Sequence, residues 1–295
     1  MNAGAAPRRS VADEGADLAF DVCALPLVRR LGALLDREPG SFEEGAPLPH
    51  GWHVIMFNVP TPQSRLRADG ATELGVKLPE LGLPRLMMGG RRIEFTGEIP
   101  IGDHVRRESR LRSITEKNGR SGRFALVEIE HRLHVEDDSA AALIETTSYI
   151  LREAGNAPPV DASGPMPAAP AVLPPGAPPP DNRLIAQRIV VPDEPMLFRY
   201  SSVTDNPHRI HYDLPYAQQV EGFSRLLVNG TIPSMLLLEM FREAVGREPT
   251  RLESRNISPI YCGHAMHLSI VAEEDGWGLH ARNAQGALCM RATAW

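Results

Sequence analysis

An apolar run that opens at an Asn-Gly pair most constrains how this chain can fold. From Ile232 onward, large apolar residues occupy nearly every side of a helix, which is typical of a helix buried on most of its surface. Thr231 and Pro233 suit its first turn, and Gly246 suits its C-terminal end. The sequence therefore predicts a central core helix over residues 232–245.

A polar loop precedes this helix. Its candidate functional residues fall close together in the sequence: Asn206, His208, Arg209, His211 and Asp213. Histidine is the side chain most easily tuned to exchange a proton near neutral pH. The N–H groups at a helix start carry positive partial charge, which suits a carbonyl oxygen that becomes negative during a reaction. A polar loop alone would indicate only a solvated surface, whereas a loop that leads into a buried helix indicates a site.

The letters of the loop and helix also resemble a known family. Residues 202–213 read SVTDNPHRIHYD and are followed by PYA and by LLVNGTIPSMLLLEM. This string resembles the catalytic half of MaoC-type enoyl-CoA hydratases, and more specifically type 2 hydroxyacyl-thioester dehydratases and mesaconyl-CoA and itaconyl-CoA hydratases. The resemblance implies an α+β double hot-dog, with two curled antiparallel sheets each around a helix. It also implies a hydro-lyase that acts on an α,β-unsaturated acyl-CoA or a 3-hydroxyacyl-CoA.

The resemblance gives three residues a catalytic role. His211 would be the acid/base, Asn206 would orient a water molecule, and the Gly230 N–H would bind the thioester oxygen. MaoC-type enzymes have an Asp where this chain has Asn206, and an amide forms hydrogen bonds without exchanging a proton. Asp205, one position earlier, is an alternative acid, and the sequence leaves both possibilities open.

Five further residues are expected to contact substrate: Asp205, His208, Arg209, Asn229 and Thr231. Asn229 stands where the family usually has a His. Arg209 has two candidate ligands, namely a phosphate of CoA or the carboxylate of a dicarboxylic acyl group of the mesaconyl, itaconyl or citramalyl type.

Composition limits the partners. The net charge of −6 argues against general nucleic-acid binding, and no apolar run has the length of a bilayer span. Three widely spaced cysteines suit a reducing cytoplasm. The resemblance implies no metal and no cofactor beyond the CoA of the substrate. It leaves CoA and acyl carrier protein open as acyl carriers, and a homodimer is a further expectation.

Strand patterns lie on both sides of a Pro-rich segment. We predict a helix over 25–35 and strands over 92–95, 105–111, 124–133, 142–151, 186–191, 196–202, 251–257, 264–273, 278–283 and 288–294. The charged residues of 106–112 and 128–132 are assigned to the solvent face of a sheet. The predicted organisation is a disordered tail over 1–18, an N-terminal hot-dog over 19–154 that shapes the acyl pocket, a Pro-rich linker over 155–182 and a catalytic C-terminal hot-dog over 183–295.

Two other functions would keep the same fold. Asn206 and Asn229 suggest an acyl-thioester-binding protein whose catalysis has decayed. A hot-dog thioesterase would need a carboxylate near the helix start, and Glu239 lies too far along the helix for that role. Hydration or dehydration is therefore the stronger prediction.

Overall fold

The computed structural model describes residues 16–72, 74–119, 122–136, 138–153 and 183–295. Within them a single sheet is formed by strands β1 Asp17–Val22, β2 Arg85–Phe95, β3 His104–Gly119, β4 Gly122–Val135, β5 Leu143–Arg152, β6 Leu184–Val190, β7 Arg251–Asn256, β8 Met266–Glu273, β9 Gly276–Arg282 and β10 Leu288–Ala294. The α-helices are α1 Leu25–Leu34, α2 Glu194–Val203, α3 Leu214–Gln219 and α4 Ile232–Val245. Every neighbouring pair of strands is antiparallel.

The strand order contains the same pattern twice. Across the sheet it runs β1-β3-β4-β5-β2-β7-β10-β9-β8-β6. Read inward from either edge, each half presents its first, third, fourth, fifth and second strand in that order. The halves join where β2 pairs with β7, with Ile93 opposite Leu252. This repeated topology confirms the predicted double hot-dog.

Helix α4 fills the C-terminal half as predicted. All its residues from Ile232 to Phe241 are buried, and it packs on β6, β8, β9 and β10. Full burial of each large apolar side chain contributes about 1.5–3 kcal/mol, so this helix holds its half of the sheet together. It ends at Gly246, which has a φ of +76° and donates its N–H to the Arg242 carbonyl.

The N-terminal half has much less helix over its sheet. Its described helical segments between β1 and β2 are the ten-residue α1 and three short 3₁₀ turns, of which Trp52–Ile55 follows Gly51. α1 packs mainly against α2 and against the turns Pro39–Ser41 and Trp52–Ile55. Part of the inner face of the N-terminal sheet is therefore left open to a cavity.

Two sequence predictions need correction. Residues 196–202 were predicted as a strand, but they lie in α2. Asp193 accepts a hydrogen bond from the Met196 N–H and Pro195 occupies the first turn, and these helix-start signals outweigh the alternating apolar pattern. The tail was predicted to reach residue 18, but β1 already begins at Asp17 because it pairs with β3. Residues 1–15 and the whole of the predicted linker lie outside the described residues.

Candidate active site

A cavity of about 740 Å³ lies between the C-terminal loop and the N-terminal sheet. That volume is in the usual range for small-molecule sites. One wall consists of the loop before α4 and the start of α4, and another consists of the inner face of β2, β3, β4 and β5. Both halves of the duplicated fold therefore contribute to one site.

Most of the predicted site residues meet in this cavity. Those that line it are Asp205, Asn206, His208, His211, Gly230 and Thr231. Arg209 and Asn229 are not among the residues that line it. The contiguous loop thus brings together three groups with different chemistry: imidazoles, an amide and the backbone N–H groups of a helix start.

His211 has the geometry of a neutral base. It lies in the 3₁₀ turn Arg209–His211 with only 8% of its surface exposed, and its Nδ1 is 2.8 Å from the Leu227 carbonyl oxygen. Because a carbonyl only accepts, Nδ1 carries the hydrogen and donates it. Nε2, which has no partner among the described residues, keeps a lone pair. Burial lowers the pKa of His211 to about 4, so the ring is neutral at pH 7.

A carboxylate of the N-terminal half holds the second histidine. Asp69 Oδ2 is 3.6 Å from His208 Nε2, and the Asp69 carbonyl accepts the Arg209 N–H at 2.8 Å. Gly70 allows this approach, since a Cβ there would lie 2.3 Å from the Pro207 carbonyl oxygen. Burial lowers the pKa of His208, whose ring centroid lies 5.8 Å from that of His211. Asp69 lies far from the motif in the sequence, so no local pattern indicated that it belongs to the site.

Asp205 and Asn206, the two candidates for the position of the family's Asp, lie at different depths in the cavity. Asp205 is exposed and has a φ of +42°, in the left-handed region that non-glycine residues seldom adopt. Asn206 is half-buried, and its Oδ1 accepts the His208 N–H at 3.2 Å. The Asn206 Nδ2 has no acceptor among the described residues. The amide, rather than the acid, is therefore the group that lies deeper in the cavity.

The start of α4 is fixed beside these groups. No described acceptor takes the Gly230 N–H. Thr231 Oγ1 lies 2.5 Å from the hydroxyl of Tyr200, which is itself buried. A Cβ at Gly230 would lie 2.9 Å from Asn256 Nδ2, so only glycine fits without displacing that side chain. The site therefore presents a backbone donor on a rigid element.

Arg209 and Asn229 are occupied elsewhere. The Arg209 guanidinium donates to Asp213 Oδ2 at 2.7 and 2.9 Å and lies 4.1 Å above the Tyr216 ring. Asn229 is fully buried and its Nδ2 donates to Ser201 Oγ at 3.4 Å. Neither residue lines the cavity in this structure.

The N-terminal sheet supplies further polar groups to the cavity, two of which, Arg107 and His131, belong to the runs that were assigned to solvent. The polar residues of its inner face that line the cavity are Arg91, Arg107, His131, Glu145, Thr147 and Tyr149. The assignment to solvent holds for Arg110, but Arg107 shares a face with the buried Val105 and Ser109. Strand alternation carried that signal, because residues two apart point the same way.

Glu239, the candidate base for thioester hydrolysis, does not line the cavity. It is 2% exposed, and Oε1 accepts from Trp52 Nε1 at 2.9 Å and from Arg242 Nη1 at 2.5 Å. Oε2 accepts from Arg37 Nη1 at 2.9 Å. With both oxygens occupied, this carboxylate links α4 to the N-terminal half and has a structural role.

Comparisons with known proteins agree with this geometry. Residues 51–262 match the family model of type 2 hydroxyacyl-thioester dehydratases. Mesaconyl-C(4)-CoA hydratase of Chloroflexus aurantiacus is 34% identical over 276 residues, which cover 92% of each chain. In the described part of this chain, no helix has the length and apolarity to cross a membrane.

Solved structures share the fold at low identity. HtdX of Mycobacterium tuberculosis superposes with a TM-score of 0.62 at 17% identity, over 94% of this chain and 98% of that one. Another M. tuberculosis protein, with a double hot-dog fold, gives a TM-score of 0.54 at 14% identity, over 99% and 96% of the two chains. These structural similarities support the double hot-dog fold of this chain and say nothing about its activity.

Proposed function

The chain belongs to the type 2 hydroxyacyl-thioester dehydratase family, and from this membership we propose that its cavity hydrates an α,β-unsaturated acyl-CoA or dehydrates the corresponding 3-hydroxyacyl-CoA. One observation carries the assignment to this site: a buried neutral His211 and the Gly230 N–H line the same cavity. Water addition needs these two functions, a base for the water and a donor for the thioester oxygen.

The chemistry follows from where each group lies. His211 Nε2 takes a proton from water, whose oxygen bonds to the β-carbon. The electron pair of the double bond moves toward the thioester oxygen, where the Gly230 N–H stabilises the enolate. Loss of one such donor typically raises the barrier by about 3–4 kcal/mol. The imidazolium then returns the proton to the α-carbon, and dehydration runs these steps in reverse.

Asn206 and His208 have supporting roles in this proposal. The free Nδ2 of Asn206 donates a hydrogen bond that orients the water, but it exchanges no proton. His208 stands beside His211 and is held by Asp69. It can assist by passing protons between the cavity and solvent. The reaction uses no cofactor or metal, since the base and the enolate stabiliser are both protein groups.

For the substrate, we favour a short branched or dicarboxylic acyl group on CoA. The C. aurantiacus relative is a mesaconyl-C(4)-CoA hydratase that aligns over nearly the whole chain, and mesaconyl-, itaconyl- and citramalyl-type groups share its chemistry. The polar inner face of the N-terminal sheet suits such a group better than a long alkyl chain, because unpaired polar groups are costly to bury against hydrocarbon.

We also propose a homodimer in a reducing compartment such as the cytoplasm. Phe20 on the edge strand β1 is 75% exposed, and an apolar edge favours association. Cys23, Cys262 and Cys289 are buried and free. Light scattering of the purified protein would show a mass of two chains if the dimer forms and of one chain if it does not.

A two-signal assay tests the activity. The protein is incubated with crotonyl-CoA and, separately, with mesaconyl-CoA while the absorbance of the enoyl thioester and the release of free thiol are followed together. We expect absorbance to fall without thiol release. Thiol release would instead indicate a thioesterase, and no change in either signal would indicate a binding protein without catalysis.

The lowered pKa of His211 predicts the pH dependence. Because burial lowers it from 6.5 to about 4, kcat/KM for hydration should stay nearly constant from pH 7 to about 5 and fall only as the pH approaches 4. The free energy of unfolding should decrease as the pH falls from about 6.5 to about 4, because in this interval the unfolded state binds a proton that folded His211 takes up only near pH 4. An acidic limb of kcat/KM centred near 6.5, with folding intact by circular dichroism, would contradict a buried neutral base.

A further inference from the structure

The inner face of the N-terminal sheet contains one neutralised arginine. Glu145 accepts from Arg91 Nε at 2.7 Å and Nη2 at 2.5 Å, from Thr147 Oγ1 at 2.6 Å, and has its Oε2 2.7 Å from His53 Nε2. Arg91 and these hydrogen bonds hold the pKa of Glu145 well below its usual range. The charge of Arg91 is therefore balanced by a fixed carboxylate, and it has little capacity for a second anion.

Arg107 lines the same cavity without such a partner. Its Nη1 donates to the Phe57 carbonyl at 3.2 Å, and its guanidinium lies 4.9 Å from the centre of the Phe57 ring. Its Nε is buried with no acceptor, and it has no ion pair among the described residues. The carboxylate of Asp21, in the same region, accepts from the backbone N–H groups of Phe57 and Val22. A guanidinium left partly desolvated and unpaired is costly unless a ligand supplies the anion.

Two neutral donors or acceptors lie near this guanidinium. His131 Nδ1 is 2.9 Å from Ser109 Oγ, and burial lowers the pKa of His131 to about 4. The hydroxyl of Tyr149 has no hydrogen-bond partner among the described residues, and burial raises its pKa to about 12, so it keeps its hydrogen. The region thus offers one guanidinium without a direct ion pair among the described residues and one unused O–H donor, while the oxygens of the nearby Glu145 and Asp21 carboxylates already accept hydrogen bonds.

We propose that Arg107, assisted by the Tyr149 hydroxyl, binds the second carboxylate of a dicarboxylic acyl group and selects such substrates over alkyl ones. This inference rests on the proposed function, since it takes the cavity to be the acyl site. A planar guanidinium binds carboxylate through two parallel hydrogen bonds, which gives strength and orientation. The other arginines that line the cavity are engaged: Arg85 pairs with Glu221, Arg91 pairs with Glu145, and Arg152 also has an interaction partner.

Binding of unreactive substrates tests this selection without depending on turnover. Succinyl-CoA and butyryl-CoA differ only in a terminal carboxylate or methyl group, as do the longer adipyl-CoA and hexanoyl-CoA. Calorimetry on the wild type should show tighter binding for at least one dicarboxylic member of these pairs. In Arg107→Met that member should lose about 100-fold in affinity, while its alkyl counterpart changes less than about threefold.

Three further variants sharpen the test. Arg107→Lys keeps the charge but not the paired hydrogen bonds, so its affinity for the dicarboxylic ligand should lie between those of the wild type and Arg107→Met. Tyr149→Phe should lower the affinity for the dicarboxylic ligand about tenfold and leave the affinity for the alkyl ligand unchanged. Arg110→Met, on the exposed face of the same strand, should change the affinity for neither ligand. Circular dichroism confirms that each variant is folded.

Several results would overturn the inference. Equal losses for both members of a pair would assign Arg107 to the CoA moiety or to the fold, and unchanged affinities would remove it from recognition. Either result would leave hydration by the wild type intact. Conversely, the protein could bind the dicarboxylic ligands selectively and yet cause no loss of enoyl absorbance from crotonyl-CoA or mesaconyl-CoA. That result would support the role of Arg107 in binding a carboxylate and contradict the proposed activity.

Discussion

His211→Asn is expected to lower kcat for hydration about 1000-fold while the unfolding temperature stays within a few degrees of the wild type. The asparagine Nδ2 can still donate to the Leu227 carbonyl, which His211 Nδ1 contacts at 2.8 Å, so the loop keeps its hydrogen bond. The variant has no basic nitrogen for the water. Initial rates with crotonyl-CoA or mesaconyl-CoA and a thermal melt measure the two effects separately.

His267→Asn is the matched control for this prediction. His267 lies on β8 and is not among the residues that line the cavity. This second His→Asn change should leave kcat near the wild-type value. Near-normal turnover by His211→Asn would remove His211 from the mechanism, and a loss of rate accompanied by unfolding would show a structural role instead.

Glu239→Ala is expected to destabilise the protein by about 3–5 kcal/mol, because it removes the acceptor for Trp52 Nε1, Arg37 and Arg242 at a buried position. Domains are typically stable by only about 5–15 kcal/mol, so this is a large fraction of the total. The loss should appear as a lower midpoint in chemical denaturation.

Glu243→Ala provides the comparison on the same helix. Glu243 has 57% of its side chain exposed and pairs with an exposed arginine, Arg188, so its loss should cost less than about 1 kcal/mol. Equal effects of the two substitutions would mean that the buried carboxylate does not hold the halves together. The thioesterase interpretation would be restored if the wild type released thiol from thioesters and Glu239→Ala kept full stability but lost that release.

The parts of the site that could be predicted are those that are local in sequence. Helix α4 was evident because its apolar residues are consecutive, and the loop from Asn206 to His211 was evident because its polar residues are adjacent. Asp69 reaches the site from the segment between β1 and β2, and Glu145 reaches it through the pairing of β5 with its neighbouring strands. Their place therefore depends on tertiary structure that no single segment encodes.

The roles of Arg107 and α2 show two different limits of sequence reasoning. The charged run 106–112 was assigned as a whole to solvent, although strand alternation puts Arg107 on the face opposite Arg106 and Arg110. The sequence also did not reveal that the inner face is left open beside the short 3₁₀ turn Trp52–Ile55. For α2, an alternating pattern competed with the capping signal of Asp193, and the cap prevailed because it satisfies a backbone donor at the helix start.

The most direct test of the account is a crystal structure of His211→Asn with bound 3-hydroxybutyryl-CoA. We predict that the thioester oxygen lies about 3 Å from the Gly230 nitrogen and that the β-hydroxyl faces residue 211. A thioester bound outside this cavity, or one whose oxygen is turned away from the first turn of α4, would contradict the assignment of the site.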